Sequence, residues 1–217
     1  MNIEKMFEMQ KELDMRIIKE HGLEGQDLLP NTVLALQVEI AELANEWRGF
    51  KHWSIDQEPR TKIEEKCTVC LGTGDENSQA NIESLLEGWG GYPHKTCEEC
   101  NGAGISGYRN PLLEEYVDCL HFFLSVARQI NYPLDDLIHL HAENLEEGPL
   151  VYVFIELLQH VGWLALHIHP EVRKRAFEFA FVGFVNLGKR LGFSPEQIEQ
   201  AYLEKNQINH ERQSTGY

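Results

Sequence analysis

The sequence predicts an all-α fold, a helical bundle interrupted by one small cysteine-rich insertion. Apolar residues recur at helical spacing through most of the 217 residues, and none of these stretches shows the alternation of a β-strand. From about residue 58 to residue 107 the helical period disappears, glycine becomes dense, and four of the five cysteines occur. We therefore expect one bundle domain from residues 1–57 and 108–217, with residues 58–107 forming a zinc-binding insertion.

The composition is that of an acidic globular chain. Lysine and arginine number 19 against 35 aspartates and glutamates, a formal net charge of −16. This excess argues against binding to nucleic-acid backbone, which needs clustered cations. The longest apolar stretch, residues 150–168, contains Glu156 and His160 and is too polar to span a membrane. No signal-peptide pattern precedes the first helix, so we expect a cytoplasmic protein whose cysteines are reduced or bind metal.

Helical signals are clear on both sides of the insertion. Residues 3–20 carry apolar side chains at 3.6-residue spacing, and a second helix follows Pro30 with an apolar stripe ending at Trp47. After the insertion, Asn110 and Pro111 form an N-cap and a first helical residue, which opens a helix to about Ile130.

The C-terminal half predicts four more helices. A short one follows Pro133 and reaches Glu146, and residues 150–168 and 171–191 form two that are apolar on nearly all faces. Ser194 begins a capping box that starts the last helix, which runs towards residue 209. An all-round apolar pair belongs in the centre of a bundle or at a subunit interface, so we expect a homodimer.

Two copies of the pattern CxxCxGxG begin 30 residues apart in the insertion. Their thiols belong to Cys67, Cys70, Cys97 and Cys100, and four thiolates at this spacing can close a tetrahedral site for one structural Zn²⁺. The alternative is a pair of disulfides or a redox pair. The repeats resemble half of the cysteine-rich module of DnaJ-type chaperones, so chaperone activity is not carried over, and a partner protein for the insertion has no support in the sequence. Cys119 is expected in the core.

Two pairs of carboxylates lie at i, i+3 spacing on helices that flank the insertion. Glu39 and Glu42 share one helix face, and Glu115 and Asp118 share another. Two bare carboxylates about 4 Å apart repel by about 4 kcal/mol at an effective dielectric near 20, so a cluster needs protons or cations. Oxygen ligands without histidine favour Mg²⁺ or Mn²⁺. The alternative is a solvated helix face.

The last helix carries cations opposite in charge to these carboxylates. Lys205, Asn209 and Arg212 follow one another at i, i+4 and i+7, a spacing that suits the binding of phosphate oxygens. The alternative is a salt-bridged surface helix.

Four segments in the same order resemble the dimeric all-α dUTPases, which belong to the all-α nucleoside triphosphate pyrophosphatase group with the MazG-like enzymes. The segments are MQKELD, ALQVEIAELANEWRGFKHW, EEYVDCLHFFLS and YLEKNQINHERQSTGY. The resemblance implies a nucleotide substrate and two or more Mg²⁺ ions on Glu39, Glu42, Glu115 and Asp118. It also implies in-line attack of water on the α-phosphorus, with Glu42 as the base, to give dUMP and pyrophosphate from dUTP, with dUDP as a second substrate.

The resemblance also implies a set of substrate-binding residues. Asp14 departs from the family, many of whose members have an asparagine near the base, and its role stays open. The interval between the two carboxylate pairs is longer than in the family until the insertion is removed. Substrate contacts are expected from Gln10, Lys51, Trp53, His121, Phe122, Lys205, Asn206, Asn209 and Arg212, with Tyr202 as a weaker candidate.

Two alternative functions remain open at this point. One is a pyrophosphatase for dCTP or another non-standard nucleotide, which would differ only in the base pocket. The other is a regulatory adaptor that binds a partner protein through the zinc-binding insertion.

Overall fold

The computed structural model describes residues 1–140 and 148–216. Of these described residues 62% are helical, and within the same ranges only one small two-stranded sheet accompanies the helices, so the predicted all-α class is confirmed. The described helices are α1 (Ile3–Glu20), α2 (Leu29–Trp47), α3 (Ser78–Leu86), α4 (Pro111–Gln129), α5 (Leu134–His139), α6 (Leu150–Leu166), α7 (Pro170–Arg190) and α8 (Pro195–Thr215), and the strands are β1 (Ile63–Lys66) and β2 (Ile105–Arg109).

The described residues form two compact units. A helical unit consists of residues 1–59 and 112–217, and an insertion unit consists of residues 60–111. No helix in the described ranges is long and apolar enough to cross a membrane.

The core of the helical unit is built from aromatic side chains of α4 and α7. Phe123 contacts Phe177, Phe181 and Phe184 at ring-centroid distances of 4.7–6.3 Å, and all four rings are buried. Each such ring contributes about 1.5–3 kcal/mol through burial. Helix α6 packs between α7 and α2, and α1 packs on α8. Helix α4, which carries Glu115 and Asp118, is therefore part of the aromatic core itself.

Local sequence signals set most helix ends. The predicted capping box is confirmed, since Ser194 Oγ accepts from the Gln197 N–H and the Gln197 side chain accepts from the Ser194 N–H. Helix α8 continues six residues beyond the predicted end. Helix α5 ends at His139, and the remainder of the helix predicted to reach Glu146 falls on residues 141–147, outside the described ranges.

The insertion unit contains regular structure that the sequence did not predict. Strands β1 and β2 pair antiparallel, and α3 supplies nine helical residues where no helical period was recognised. The reason is that the apolar residues of α3, which include Ile82, Leu85 and Leu86, are exposed and follow no buried stripe.

Candidate active site and cysteine cluster

Three carboxylates meet between α2 and α4. One oxygen from each of Glu39, Glu42 and Glu115 lies within 4.8 Å of the others, with Glu42 exposed and the other two half-buried. The i, i+3 spacing on α2 aims Glu39 and Glu42 at the same point, and Glu115 reaches it from the first turns of α4. This is the kind of oxygen cluster that can hold a hard divalent cation.

The electrostatics of this cluster favour a bound cation. Burial, followed by the charges of Asp118 and Glu42, raises the pKa of Glu39 to about 7. Burial and then Asp118 likewise raise the pKa of Glu115 to about 7. Near neutral pH these groups hold protons that a divalent cation can replace, because the cation supplies the missing positive charge.

Asp118 makes a different contact from the other three carboxylates. Its Oδ2 atom accepts from Lys205 Nζ at 2.5 Å, so an ion pair links α4 to α8. Burial raises the pKa of Asp118, against the lowering effects of Lys205 and Arg212. The last helix thus brings two cations to the edge of the carboxylate cluster.

A cavity of about 240 Å³ opens between α1, α4 and α8. Glu39 also lines this cavity, so the carboxylate cluster and the cavity share a wall. The remaining wall combines cations, amides, two further carboxylates and two aromatic rings. The predicted site residues that line it are Gln10, Glu39, Asp118, His121, Phe122, Lys205, Asn209 and Arg212.

Three predicted substrate residues lie outside the cavity lining. Trp53 is 68% exposed and contacts Phe50 edge to face, while Lys51 Nζ donates to Asn45 Oδ1. Asn206 is buried, and its Nδ2 atom has no hydrogen-bond partner among the described residues. The structure therefore gathers most, but not all, of the predicted substrate residues in one place.

Two polar residues of this region were missed by sequence reasoning. Ser125 and Arg128 follow His121 on α4 at i+4 and i+7, and both hydrogen-bond the Asp14 carboxylate. Their spacing on α4 was a usable signal, because it places them on the same face as Asp118 and His121.

Comparison with protein families assigns the chain that carries this site to a family. A family model described as dUTPase matches residues 2–70 and 106–217, which include every residue of the carboxylate cluster and of the cavity wall. The chain belongs to the all-α dUTPase family. Membership in this dUTPase family indicates a nucleotide hydrolase with a small-molecule substrate. A comparison with curated proteins gave no match.

The family match omits residues 71–105, which lie in the insertion unit of this dUTPase-family chain. The four cysteines of the insertion unit are buried, and their thiol sulfurs all lie within 4.8 Å of one another. The Cys67–Cys97 and Cys70–Cys100 sulfur pairs are 3.9 and 3.6 Å apart. Two ligands at a tetrahedral zinc with Zn–S bonds of about 2.3 Å lie about 3.8 Å apart, so the thiols fit this ion.

Backbone groups in both CxxCxGxG repeats point at the sulfurs in the same way. The N–H groups of Gly74 and Gly104 donate to Cys70 and Cys100 Sγ, each at 3.2 Å. Although burial opposes it, the bond from Gly74 and the neighbouring Cys100 thiol lower the pKa of Cys70 to about 6. Against a backbone hydrogen bond from Cys100, burial and the neighbouring thiols raise the pKa of Cys97 to about 11. The bond from Gly74 therefore stabilises thiolate, the form that binds metal, at Cys70.

Proposed function

We propose that the protein hydrolyses dUTP to dUMP and pyrophosphate in a Mg²⁺-dependent reaction. The observation that carries this proposal is the position of Glu39, which belongs to both the carboxylate cluster and the cavity wall. A nucleotide in the cavity therefore brings its phosphates next to the carboxylates. The family assignment supports dUTP hydrolysis in general, and the geometry supports the following division of roles.

Glu39, Glu42, Glu115 and Asp118 would hold Mg²⁺, or Mn²⁺ in its place. A metal ion held there would supply positive charge to the phosphoryl oxygens and to the attacking water. Glu42 is exposed at the mouth of the cluster and accepts the proton of the water that attacks the α-phosphorus. Asp118 accepts from Lys205 in this structure, and it would release Lys205 to the phosphates if a divalent cation supplied the positive charge at that carboxylate.

The remainder of the cavity wall holds the rest of the nucleotide. Lys205 and Arg212 donate to phosphate oxygens, and Asn209 adds an amide donor between them on the same helix face. Phe122 offers a flat apolar surface to the base. Trp53 and Lys51, which lie outside the cavity lining, reach the nucleotide only if their segment or a second subunit moves towards it.

A homodimer and a structural zinc ion complete the proposal. Exposed apolar residues recur along α2, α6 and α7 of the helical unit, a pattern that favours a covered subunit interface. The four thiols would hold one Zn²⁺ that replaces the apolar core this small unit lacks. The exposed apolar residues are Leu34, Val38, Tyr152, Ile155, Leu166 and Phe179.

A substrate panel tests the proposed function. Purified protein is incubated with dUTP, dCTP, UTP or dTTP at equal concentration, with Mg²⁺, with Mn²⁺ or with EDTA, and pyrophosphate and nucleotide products are measured. We expect rapid release of pyrophosphate and dUMP from dUTP only when a divalent cation is present. Equal turnover of dCTP, or turnover in EDTA, would refute the proposed substrate or the metal requirement respectively.

A further inference from the structure

The Asp14 carboxylate is saturated by side chains of the protein. Its Oδ1 atom accepts from Gln10 Nε2 and Ser125 Oγ, both at 2.9 Å. Its Oδ2 atom accepts from Arg128 Nε at 3.0 Å and Nη2 at 2.8 Å. A carboxylate with all its neighbours already donating to it is not placed to read a nucleobase.

The saturated carboxylate instead fixes the orientation of Gln10. A carboxylate only accepts hydrogen bonds, so the Gln10 side-chain NH₂ must face Asp14. The same NH₂ group donates to Ser125 Oγ at 3.0 Å, and the Ser125 hydroxyl donates its own hydrogen bond to Asp14. Both donors of the amide are therefore used, and Gln10 Oε1 must point away from Asp14.

Gln10 in turn fixes the proton on His121. Gln10 Oε1 lies 2.6 Å from His121 Nδ1 and 3.0 Å from the hydroxyl of Tyr202. An amide oxygen cannot donate, so Nδ1 carries the proton of the imidazole. The Tyr202 ring stacks on His121 at a centroid distance of 4.1 Å and holds the ring in this orientation. His121 Nε2 is then left with a lone pair.

The surroundings of His121 keep the ring neutral. Burial is the largest cause that lowers the pKa of His121 to about 3, followed by the charge of Lys205, and both outweigh a hydrogen bond with the Tyr202 backbone that raises it. Nε2 is buried and has no hydrogen-bond partner among the described residues, although His121 lines the cavity. A buried acceptor without a donor is destabilising, and a ligand N–H group can satisfy it once the covering side chains shift.

We infer that Asp14 is a positioning residue that, through Gln10, sets His121 to accept a hydrogen bond from the N–H of an imide base. The inference rests on the proposed function, and His121 Nε2 is the atom that would select uracil. Uracil presents N3–H, a donor, to the Nε2 lone pair. Cytosine presents an unprotonated N3, which would set one lone pair against another.

Replacing Asp14 by asparagine should reverse the hydrogen bonds that run from residue 14 through Gln10 to His121. Arginine only donates, so Arg128 should take the oxygen of Asn, whose NH₂ group then faces Gln10. Gln10 should turn its oxygen towards that NH₂ group and its own NH₂ towards Nδ1, which moves the proton of His121 to Nε2. Adding Arg128→Met frees the asparagine oxygen for Gln10 and should restore the original proton position. Ser125→Ala, which leaves Asp14 facing Gln10, should leave the proton of His121 on Nδ1.

Nitrogen-15 NMR of the full-length protein without nucleotide reads the tautomer, with the His121 signals identified by their loss in His121→Gln. We expect Nδ1–H in the unsubstituted protein, Ser125→Ala and Asp14→Asn/Arg128→Met, and Nε2–H in Asp14→Asn. Nδ1–H in a folded Asp14→Asn protein, or Nε2–H in the unsubstituted protein, would overturn the role of Asp14.

Kinetics provide a second readout of the same variants. The ratio of kcat/KM for dUTP to that for dCTP should fall at least ~10-fold in Asp14→Asn and recover in the double variant. If the His121 proton moves to Nε2 and the ratio stays unchanged, recognition of the base by His121 is refuted. Absence of dUTP hydrolysis in the unsubstituted protein would refute the proposed function instead, while the tautomer measurement would still decide the role of Asp14.

Discussion

Lys205 Nζ lies 2.5 Å from Asp118 Oδ2 and joins the last helix to the fourth at the wall of the cavity. The lysine also lowers the pKa values of Glu39 and Glu115, but burial and the mutual repulsion of the carboxylates outweigh it. The carboxylate cluster is therefore only partly neutralised by the protein itself. A nucleotide that arrives with a divalent cation would neutralise the carboxylates and free Lys205 for its phosphates.

Lys205→Met should weaken nucleotide binding and destabilise the metal-free cluster. We expect KM for dUTP to rise ~10-fold or more, because a charged hydrogen bond to phosphate is lost. The melting temperature in EDTA at pH 7.5 should fall, and added Mg²⁺ should recover most of the loss. Lys189→Met, on the exposed face of α7, is the matched control. An unchanged KM would remove Lys205 from the phosphate site.

Sequence periodicity was sufficient to predict the helical bundle but not the hydrogen-bond network around Asp14. The stripes of α2 and α4 and the capping box at Ser194 are local patterns, so the helices and the carboxylate pairs on them could be predicted. The pairing of Asp14 with Arg128 depends on tertiary packing of α1 against α4, which no local pattern encodes. Likewise α3 was missed because nothing in its apolar spacing points to a core.

Glu42→Gln should lower kcat for dUTP at least ~10²-fold without loss of stability. The side chain is exposed, so its removal costs little packing, whereas a lost general base costs about this factor. Steady-state kinetics with saturating Mg²⁺ and circular dichroism melts measure the two effects. Glu12→Gln, exposed on α1, serves as the control, and near-normal turnover of the Glu42 variant would exclude it as the base.

Stability of the metal-free protein should fall as pH rises from 5 to 8. Glu39 and Glu115 have folded-state pKa values of about 7, above the ordinary 4.5, so the folded protein holds protons that the unfolded chain releases. Their stabilising effect is complete below pH 4.5 and is lost as pH rises through 7. Melting temperatures in EDTA and in Mg²⁺ across this range measure it, since bound Mg²⁺ should offset the loss.

The double variant Glu39→Gln/Glu115→Gln isolates these two groups from the other charges of the chain. Its melting temperature in EDTA should vary less with pH than that of the unsubstituted protein, because neither amide titrates. The same slope in both proteins would assign the pH dependence to general repulsion in an acidic chain instead.

Ile155→Glu should convert a homodimer into a monomer. Ile155 is 53% exposed on α6, and a charge buried in an apolar interface is strongly unfavourable. Light scattering at micromolar concentration measures the mass of each variant. Ile82→Glu is the matched control, because Ile82 is 55% exposed but lies on α3 of the insertion unit. A monomeric unsubstituted protein would contradict the proposed interface.

Two glycines of the insertion allow its zinc site to be tested separately from catalysis. Gly74 and Gly88 have φ of 75° and 80°, so alanine is similarly strained in the backbone at either position. Only at Gly74 would the added Cβ meet another group, the Gly102 carbonyl oxygen at 2.3 Å. That contact would displace the N–H that donates to Cys70 Sγ, so Gly74→Ala should bind zinc more weakly than Gly88→Ala.

Elemental analysis after dialysis against a chelator should find one zinc per chain in the unsubstituted protein and in Gly88→Ala, and less in Gly74→Ala. Cys67→Ser with Cys100→Ser should bind none, because two of the four ligands are gone. All three variants should still hydrolyse dUTP, since the carboxylates and the cavity lie in the helical unit. Zinc absent from the unsubstituted protein would refute the site, and a folded cysteine variant without activity would place the insertion in the active site.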